Sequence, residues 1–215
     1  MSYIRFEQVE KSFRQELILK EINLELEQGQ IYGFVGRNGS GKTVIFKMLC
    51  GLLLPSKGNI YYKDSNITKS GKFIDSLGVM IETPGFIPHY SGYKNLSILN
   101  SLSKNPVKKQ EILNCMELVG LDPTSKKPVK AYSLGMRQKL GIAQAIMNQP
   151  ELLILDEPLN SLDDTSANDF RDLFMKLKEE QNTTILLASH IKEDIELLCD
   201  QIFYIKDKTV VEGTY

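Results

Sequence analysis

Residues 36–43 have the types and the spacing of a phosphate-binding loop. They match the pattern G-x-x-x-x-G-K-[ST], and the loop with the residue after it is Gly36, Arg37, Asn38, Gly39, Ser40, Gly41, Lys42, Thr43 and Val44. The glycines let backbone N–H groups surround phosphates, Lys42 neutralises β and γ charge, and Thr43 offers a hydroxyl to Mg²⁺. A glycine-rich turn carrying Lys-Thr by chance is the alternative. The apolar strand pattern before the loop and the helical pattern after it favour phosphate binding.

Two adjacent carboxylates, Asp156 and Glu157, follow the apolar residues 152–155. Because side chains alternate along a strand, the two acids can do different work. Asp156 can reach Mg²⁺ or its water shell, and Glu157 can polarise an attacking water. An ordinary solvated strand end is the alternative. With a phosphate loop in the same chain, the pair predicts nucleotide hydrolysis.

A histidine, His190, follows another apolar segment, residues 184–188, after Ser189. A histidine at a strand end can hydrogen-bond a γ-phosphate or the water that attacks it. Taken alone, His190 could equally be a surface or capping residue. The other motifs favour a catalytic role for it.

The order of apolar patterns predicts an α/β fold in one domain. Alternating residues in the first third indicate strands, residues 93–147 are helical in pattern, and strand and helix alternate beyond Pro150. We expect a P-loop NTPase core with a mixed or parallel sheet, an N-terminal antiparallel β subdomain and an inserted α-helical subdomain. The approximate boundaries are 1–84 and 148–215 for the core and β subdomain and 85–147 for the helical subdomain.

Composition limits the partners and the compartment. The 215 residues include 26 Lys and Arg against 27 Asp and Glu, and the net charge of -1 gives no general reason to bind nucleic acid or an anionic bilayer. No apolar stretch approaches the ~20 residues that cross a membrane. The separated cysteines Cys50, Cys115 and Cys199 lie in apolar surroundings and indicate buried thiols in a reducing compartment. We therefore expect an intracellular chain with no nucleic-acid partner.

A further segment, residues 131–138, places Ser133 at the start of a helical pattern. Alone it would be taken as a plain N-cap. In this order with the other motifs, the segment resembles the signature of the ABC transporter ATPase family, and the resemblance covers essentially the whole chain. In that family the signature grips the γ-phosphate bound by the other subunit; its residues here are Ser133, Leu134, Gly135 and Met136.

The resemblance implies two more sets of residues. Asn160, Leu162 and Asp163 are similar to the loop that communicates across the dimer. Phe13 is placed like the aromatic that stacks on adenine, although Tyr3 or Phe6 could be confused with it.

Several positions depart from the family pattern. Leu134 replaces a glycine, Met136 replaces a glutamine, and Val44 replaces a hydroxyl residue. Glu82 stands where the family has a glutamine that contacts magnesium, water and the membrane subunit. This glutamate, with the signature, resembles the branch of bacitracin-resistance and lantibiotic self-protection transporters. The implied metal ligands are Thr43, Glu82 and Asp156.

The resemblance implies an ATPase with the cofactors ATP and Mg²⁺ that acts at the cytoplasmic face of the cell membrane. It would power a separate permease, which would export or remove a peptide antibiotic, a lantibiotic or a similar amphiphile, and it would pair with a second ATPase subunit, as a homodimer. The alternative is a soluble ABC ATPase that acts on ribosomes or DNA. A catalytically silent subunit is disfavoured by the joint presence of Lys42, Asp156, Glu157 and His190.

Overall fold

The computed structural model describes residues 2–70, 74–82 and 85–213. Its strands are β1 Ile4–Phe13, β2 Glu16–Leu26, β3 Ile31–Val35, β4 Lys57–Tyr62, β5 Ser65–Asn66, β6 Leu77–Met80, β7 Leu152–Asp156, β8 Thr184–Ala188, β9 Gln201–Lys206 and β10 Thr209–Gly213. Its helices are α1 Lys42–Leu49, α2 Ile67–Ser70, α3 Gly92–Ser101, α4 Lys109–Leu118, α5 Leu134–Ile146, α6 Asp164–Gln181 and α7 Lys192–Leu198. The α/β fold expected from the sequence is confirmed.

The N-terminal sheet is antiparallel and has the strand order β2-β1-β4-β5. Its long strand β2 alternates buried and exposed positions toward its end, with Ile22, Leu24 and Leu26 buried. One face of this sheet therefore packs on the core and the other meets solvent, as a period of two residues predicts.

The central sheet has the order β10-β9-β3-β8-β7-β6 and is parallel except for β10. Strands β7 and β8 are apolar along almost their whole length because both faces of a parallel sheet are covered. Leu153 and Leu155 face the core shared with α4, α5 and α6, whereas Leu152 and Ile154 face the core shared with α1 and the N-terminal sheet. Two cores thus hold the central sheet between them.

Helices α3, α4 and α5 occupy the stretch whose pattern is helical in the sequence. Pro106 lies in the connection between α3 and α4. Because proline has no backbone N–H to donate within a helix, its position there separates the two helices. Phe170, Phe174 and Leu177 of α6 are buried together on one face, as their spacing predicts. In the part of the chain that the structure describes, no helix combines the length and apolar character needed to cross a bilayer.

Strand register brings the candidate site together. Phe34 of β3 and Asp156 of β7 both pair with Ala188 of β8, so three parallel strands end at one edge of the sheet. The phosphate loop follows β3, the two carboxylates end β7, and Ser189 and His190 follow β8. Ligand-binding groups collect at the carboxyl ends of parallel strands for this topological reason.

Candidate functional site

The phosphate loop leads from β3 into α1 through Gly41, which has φ 112° and lies at the N-cap. An L side chain rarely adopts this conformation, and a Cβ there would also lie 2.8 Å from Leu19 Cδ2. No side chain caps α1, and its first turn carries no acid. The free N–H groups and the helix dipole therefore favour an anion at this end. Gly39 of the same loop also has a positive φ, 79°. The side chains of Arg37 and Asn38 are exposed to solvent.

Lys42 is a buried cation, only 7% exposed. Its Nζ donates to the carbonyl oxygens of Gly36 at 2.7 Å and Arg37 at 3.5 Å, and it has no carboxylate partner among the described residues. Ser40 Oγ is also buried, and no hydrogen-bond partner for it is found in residues 2–70, 74–82 and 85–213. A buried charge without a counter-charge and a buried hydroxyl without a hydrogen-bond partner cost free energy. A bound phosphate would supply negative charge to Lys42 and an acceptor oxygen to Ser40.

Thr43 and Asp156 meet although they are 113 residues apart: Thr43 Oγ1 donates to Asp156 Oδ2 at 2.6 Å. A hydroxyl and a carboxylate oxygen suit Mg²⁺, which is usually held by one or two carboxylates together with substrate phosphates. The described residues contain no cluster of three or more His, Cys, Asp and Glu that could hold a metal alone. The donor set therefore fits a magnesium ion that arrives with a nucleotide.

Glu157 faces His190. The Glu157 Oε2 atom lies 2.8 Å from His190 Nδ1 and accepts from the His190 backbone N–H at 3.3 Å. Glu157 has φ 54°, and its backbone N–H donates to Ala188 O at 2.9 Å. Gln138 Nε2 donates to the carbonyl oxygens of Glu157 and Pro158, each at 2.8 Å. Hydrogen bonds from β8 and from α5 thus hold the backbone turn that carries Glu157.

Except for His190, which contacts the cavity residue Glu157 from outside the lining, these groups line one open cavity of about 630 Å³. Its lining residues are Phe13, Ile18, Asn38, Gly39, Ser40, Gly41, Lys42, Thr43, Val44, Glu82, Gln138, Asp156, Glu157, Asn160 and Ser161. Glu82, Glu157 and Ser161 have φ of 59°, 54° and 67°, a backbone region that non-glycine residues rarely adopt.

The aromatic side chain at the cavity is Phe13, which is 44% exposed. Lys11 Nζ lies 4.9 Å from the centre of its ring. Tyr3 and Phe6, which the sequence could confuse with it, are 4% and 1% exposed and belong to the core. Phe13 is therefore the one of these three rings that a ligand can reach.

The signature residues lie outside this cavity, at the start of α5. Ser133 is the N-cap, and its exposed Oγ accepts from Met136 N at 3.1 Å. Leu134 is 52% exposed, while Met136 is partly buried against the core. A Cβ on Gly135 would lie 3.2 Å from Ser161 O. Ser133 and Leu134 thus present an exposed helix N-terminus, and Gly135 permits close approach of the loop after β7.

Within that loop, Asn160 lines the cavity and Leu162 packs against the core. Asp163 is the N-cap of α6: its carboxylate accepts from the Ser166 backbone N–H at 2.9 Å. This hydrogen bond, and to a smaller extent the one from the Ser166 hydroxyl, holds the pKa of Asp163 below its ordinary value. Capping is therefore one role of Asp163 that the structure itself gives.

Glu82 follows β6 and lines the cavity, but its Oε1 also lies 2.6 Å from Lys47 Nζ on α1. Lys47 was not among the residues that the sequence singled out, and nothing in local pattern marks it. Gln138, Ile18 and Ser161 were also missed. Gln138 lies five residues after Ser133. Its long amide side chain, close to the signature in the sequence, was the only indication that it could reach the site.

Known proteins resemble this chain over most of its length. A family model described as "ABC transporter" matches residues 19–160. The bacitracin transport ATP-binding protein BcrA of Enterococcus faecalis is 40% identical over 97% of this chain and 68% of its own length. The lantibiotic transport ATP-binding protein SrtF of Streptococcus pyogenes is 34% identical over 99% of this chain and 91% of its own length.

Solved structures give the same architecture. CbiO1 of Clostridium perfringens, described as part of the ABC transporter complex cbiONQ, superposes with a TM-score of 0.83 at 26% identity over 99% of this chain and 88% of that one. The ATP-binding cassette MJ0796, bound to ADP and Pi, gives a TM-score of 0.87 at 22% identity over 98% of both chains. At that lower identity the likeness concerns the fold.

Proposed function

The chain belongs to the ABC transporter ATPase family, and on this basis we propose that it hydrolyses ATP in the cavity between the phosphate loop and Asp156 and Glu157, powering a separate membrane permease. The observation that carries the site assignment is the buried Lys42 without a carboxylate partner among the described residues, facing that cavity. The comparisons support an ATPase that powers transport, and not the alternative of one acting on ribosomes or DNA.

The contacts support a role for each residue of the site. Lys42, Ser40 and the N–H groups of the loop bind the phosphates, and Phe13 packs on the base. Thr43 and Asp156, with Glu82 nearby, hold Mg²⁺, which neutralises phosphate charge when bound.

Glu157 accepts a proton from the attacking water, and His190 holds the Glu157 carboxylate in place. With Nδ1 of His190 directed to Glu157, Nε2 is the ring nitrogen left for the γ-phosphate or the water. Each acid thus has its own role in hydrolysis.

A second copy of the chain completes the site. Ser133 and Leu134 are exposed and lie outside the cavity of their own chain, so the α5 N-terminus is available to a γ-phosphate held by another subunit. Asn160 and Leu162 flank Ser161, whose carbonyl oxygen lies beside Gly135, and we infer that this loop responds to that subunit. We infer a homodimer with two ATP molecules at its interface.

The cargo and the location are inferred from the relatives. BcrA and SrtF are named for bacitracin and lantibiotic transport, and Glu82 is the position that suggests this branch in the sequence. We infer export or removal of a peptide antibiotic or similar amphiphile, with the chain held at the cytoplasmic face of the membrane by its permease. We further propose that residues 85–147 form the helical subdomain, with residues 1–84 and 148–215 as the core and β subdomain.

Purified wild type, Glu157→Gln and Glu151→Gln test the assignment. Glu151 begins the same segment at the other end of β7, where it pairs with Lys63, and serves as the matched control. We expect Glu157→Gln to keep ATP binding and to lose at least about 100-fold in phosphate release, since a general base contributes that much or more. Unchanged turnover in Glu157→Gln would refute its role as the base.

The transport part needs a separate measurement. Tagged Glu157→Gln, purified from native membranes in mild detergent with MgATP, should retain a polytopic membrane protein. Recovery of ribosomes or DNA in its place would contradict the transporter assignment while leaving the ATPase assignment intact.

A further inference from the structure

A buried ion pair lies behind the segment that carries His190. Arg171 of α6 donates to Asp194 Oδ1 through Nη2 at 2.6 Å and Nε at 3.0 Å. The Asp194 side chain is 1% exposed and that of Arg171 11%. Arg171 Nη1 also donates to Asn168 Oδ1 at 2.7 Å. A buried carboxylate is costly unless it is fully paired, and here a guanidinium compensates it.

The second oxygen of Asp194 reaches the chain on both sides of His190. Asp194 Oδ2 accepts from Ser189 Oγ at 2.9 Å. Ser189 Oγ in turn accepts from the Ile191 backbone N–H at 3.0 Å. The hydroxyl thus closes a short turn around His190, and Asp194 fixes the direction in which that hydroxyl points.

His190 itself is held by little else. Its side chain is 62% exposed, and within the described residues its ring and its backbone N–H both contact a single oxygen, Glu157 Oε2. An exposed ring with one partner depends on its backbone for position. A displacement of about 1 Å in such a group can cost on the order of 100-fold in rate.

We propose that Ser189 and Asp194 are positioning residues that hold His190 against Glu157, with Arg171 as the counter-charge that permits Asp194 to be buried. The inference rests on the proposed catalytic role of His190. It also connects two parts of the site, because Arg171 belongs to α6, the helix that Asp163 caps.

Ser189→Ala is the cleanest test because it removes one oxygen and leaves the Arg171–Asp194 pair in place. Thr183→Val is the matched control: Thr183 flanks the other end of β8, is 1% exposed, and donates through Oγ1 to Pro150 O at 3.1 Å. ATP affinity, kcat and KM would be measured for both variants, for His190→Ala and for the double variant Ser189→Ala/His190→Ala.

We expect Ser189→Ala to lower kcat about tenfold with ATP affinity and KM within about twofold, since binding groups are untouched. In the His190→Ala background the same substitution should cause no further loss, because the two residues act as a unit. Thr183→Val should keep the wild-type kcat.

Two outcomes would overturn the inference alone: wild-type kcat in Ser189→Ala while His190→Ala is impaired, or an equal loss from Ser189→Ala with and without His190. Full turnover in His190→Ala would instead overturn the proposed role of the histidine, and the inference with it.

Discussion

Glu82 Oε1 lies 2.6 Å from Lys47 Nζ, which joins the segment after β6 to the helix that follows the phosphate loop. The side chains are 64% and 28% exposed. Exposed ion pairs contribute at most about 1 kcal/mol, so stability does not account for this contact. The contact also positions the Glu82 carboxylate at the cavity, where we propose that it meets a bound cation.

Replacing Glu82 by Gln should therefore change the Mg²⁺ dependence of turnover more than the stability. We expect the Mg²⁺ concentration for half-maximal phosphate release to rise about threefold or more, because a carboxylate oxygen is lost near the ion. Lys47→Met should not raise it, since the carboxylate remains and loses its competitor. Both would be measured by titrating Mg²⁺ at saturating ATP.

Glu196→Gln is the control, because it removes another exposed ion pair, that of Glu196 with Lys192 on α7, and neither residue lines the cavity. Equal Mg²⁺ dependence in Glu82→Gln, Glu196→Gln and wild type would exclude a cation-binding role for Glu82.

Lys42→Met should separate function from stability. The variant loses a charge-assisted contact to phosphate, worth about 1.5–3 kcal/mol, so ATP affinity should fall by roughly 10- to 100-fold. Without nucleotide, its free energy of unfolding should match or exceed that of wild type, because a buried ammonium that has no carboxylate partner among the described residues is removed. Urea unfolding with and without ATP measures both effects. A variant clearly less stable than wild type without nucleotide would contradict the argument.

The sequence predicts those parts of the site that local pattern encodes. The phosphate loop, the acids after β7 and the histidine after β8 each follow an apolar strand, and parallel strands bring their ends together; hence Thr43 and Asp156 meet. Local sequence pattern does not predict the contacts between long charged side chains. The pairs Lys47–Glu82 and Arg171–Asp194 depend on packing of distant elements, and charged residues on a helix ordinarily indicate a solvated face.

Phe13→Ala should weaken ATP binding by about two- to tenfold, because packing of a base on an aromatic ring contributes about 0.5–1.5 kcal/mol. Phe13→Tyr keeps the ring and should retain affinity. Binding of inorganic triphosphate, which has no base, should be unchanged in both variants. Equal losses for ATP and triphosphate in Phe13→Ala would show that the substitution disturbs the loop and not a stacking contact.

The buried thiols predict how stability depends on pH above neutrality. Cys50 and Cys115 are 4% and 7% exposed, and burial raises the pKa of each thiol from 9.0 to about 12. A folded-state pKa above the unfolded value means that the folded chain retains protons which the unfolded chain releases. Stability from these thiols is therefore complete below about pH 9 and is lost as the pH rises toward 12.

Each thiol lowers the free energy of unfolding by up to about 1.4 kcal/mol per pH unit within that interval. Urea unfolding from pH 7.5 to about 9.5 should show a plateau followed by a decline, and Cys115→Ala, although less stable throughout, should decline less steeply. Native Cys50 and Cys115 should also resist a thiol-specific disulfide reagent that labels the unfolded chain. Rapid labelling of both in the native protein at pH 8.5 would contradict their burial, because the thiolate is the reacting form.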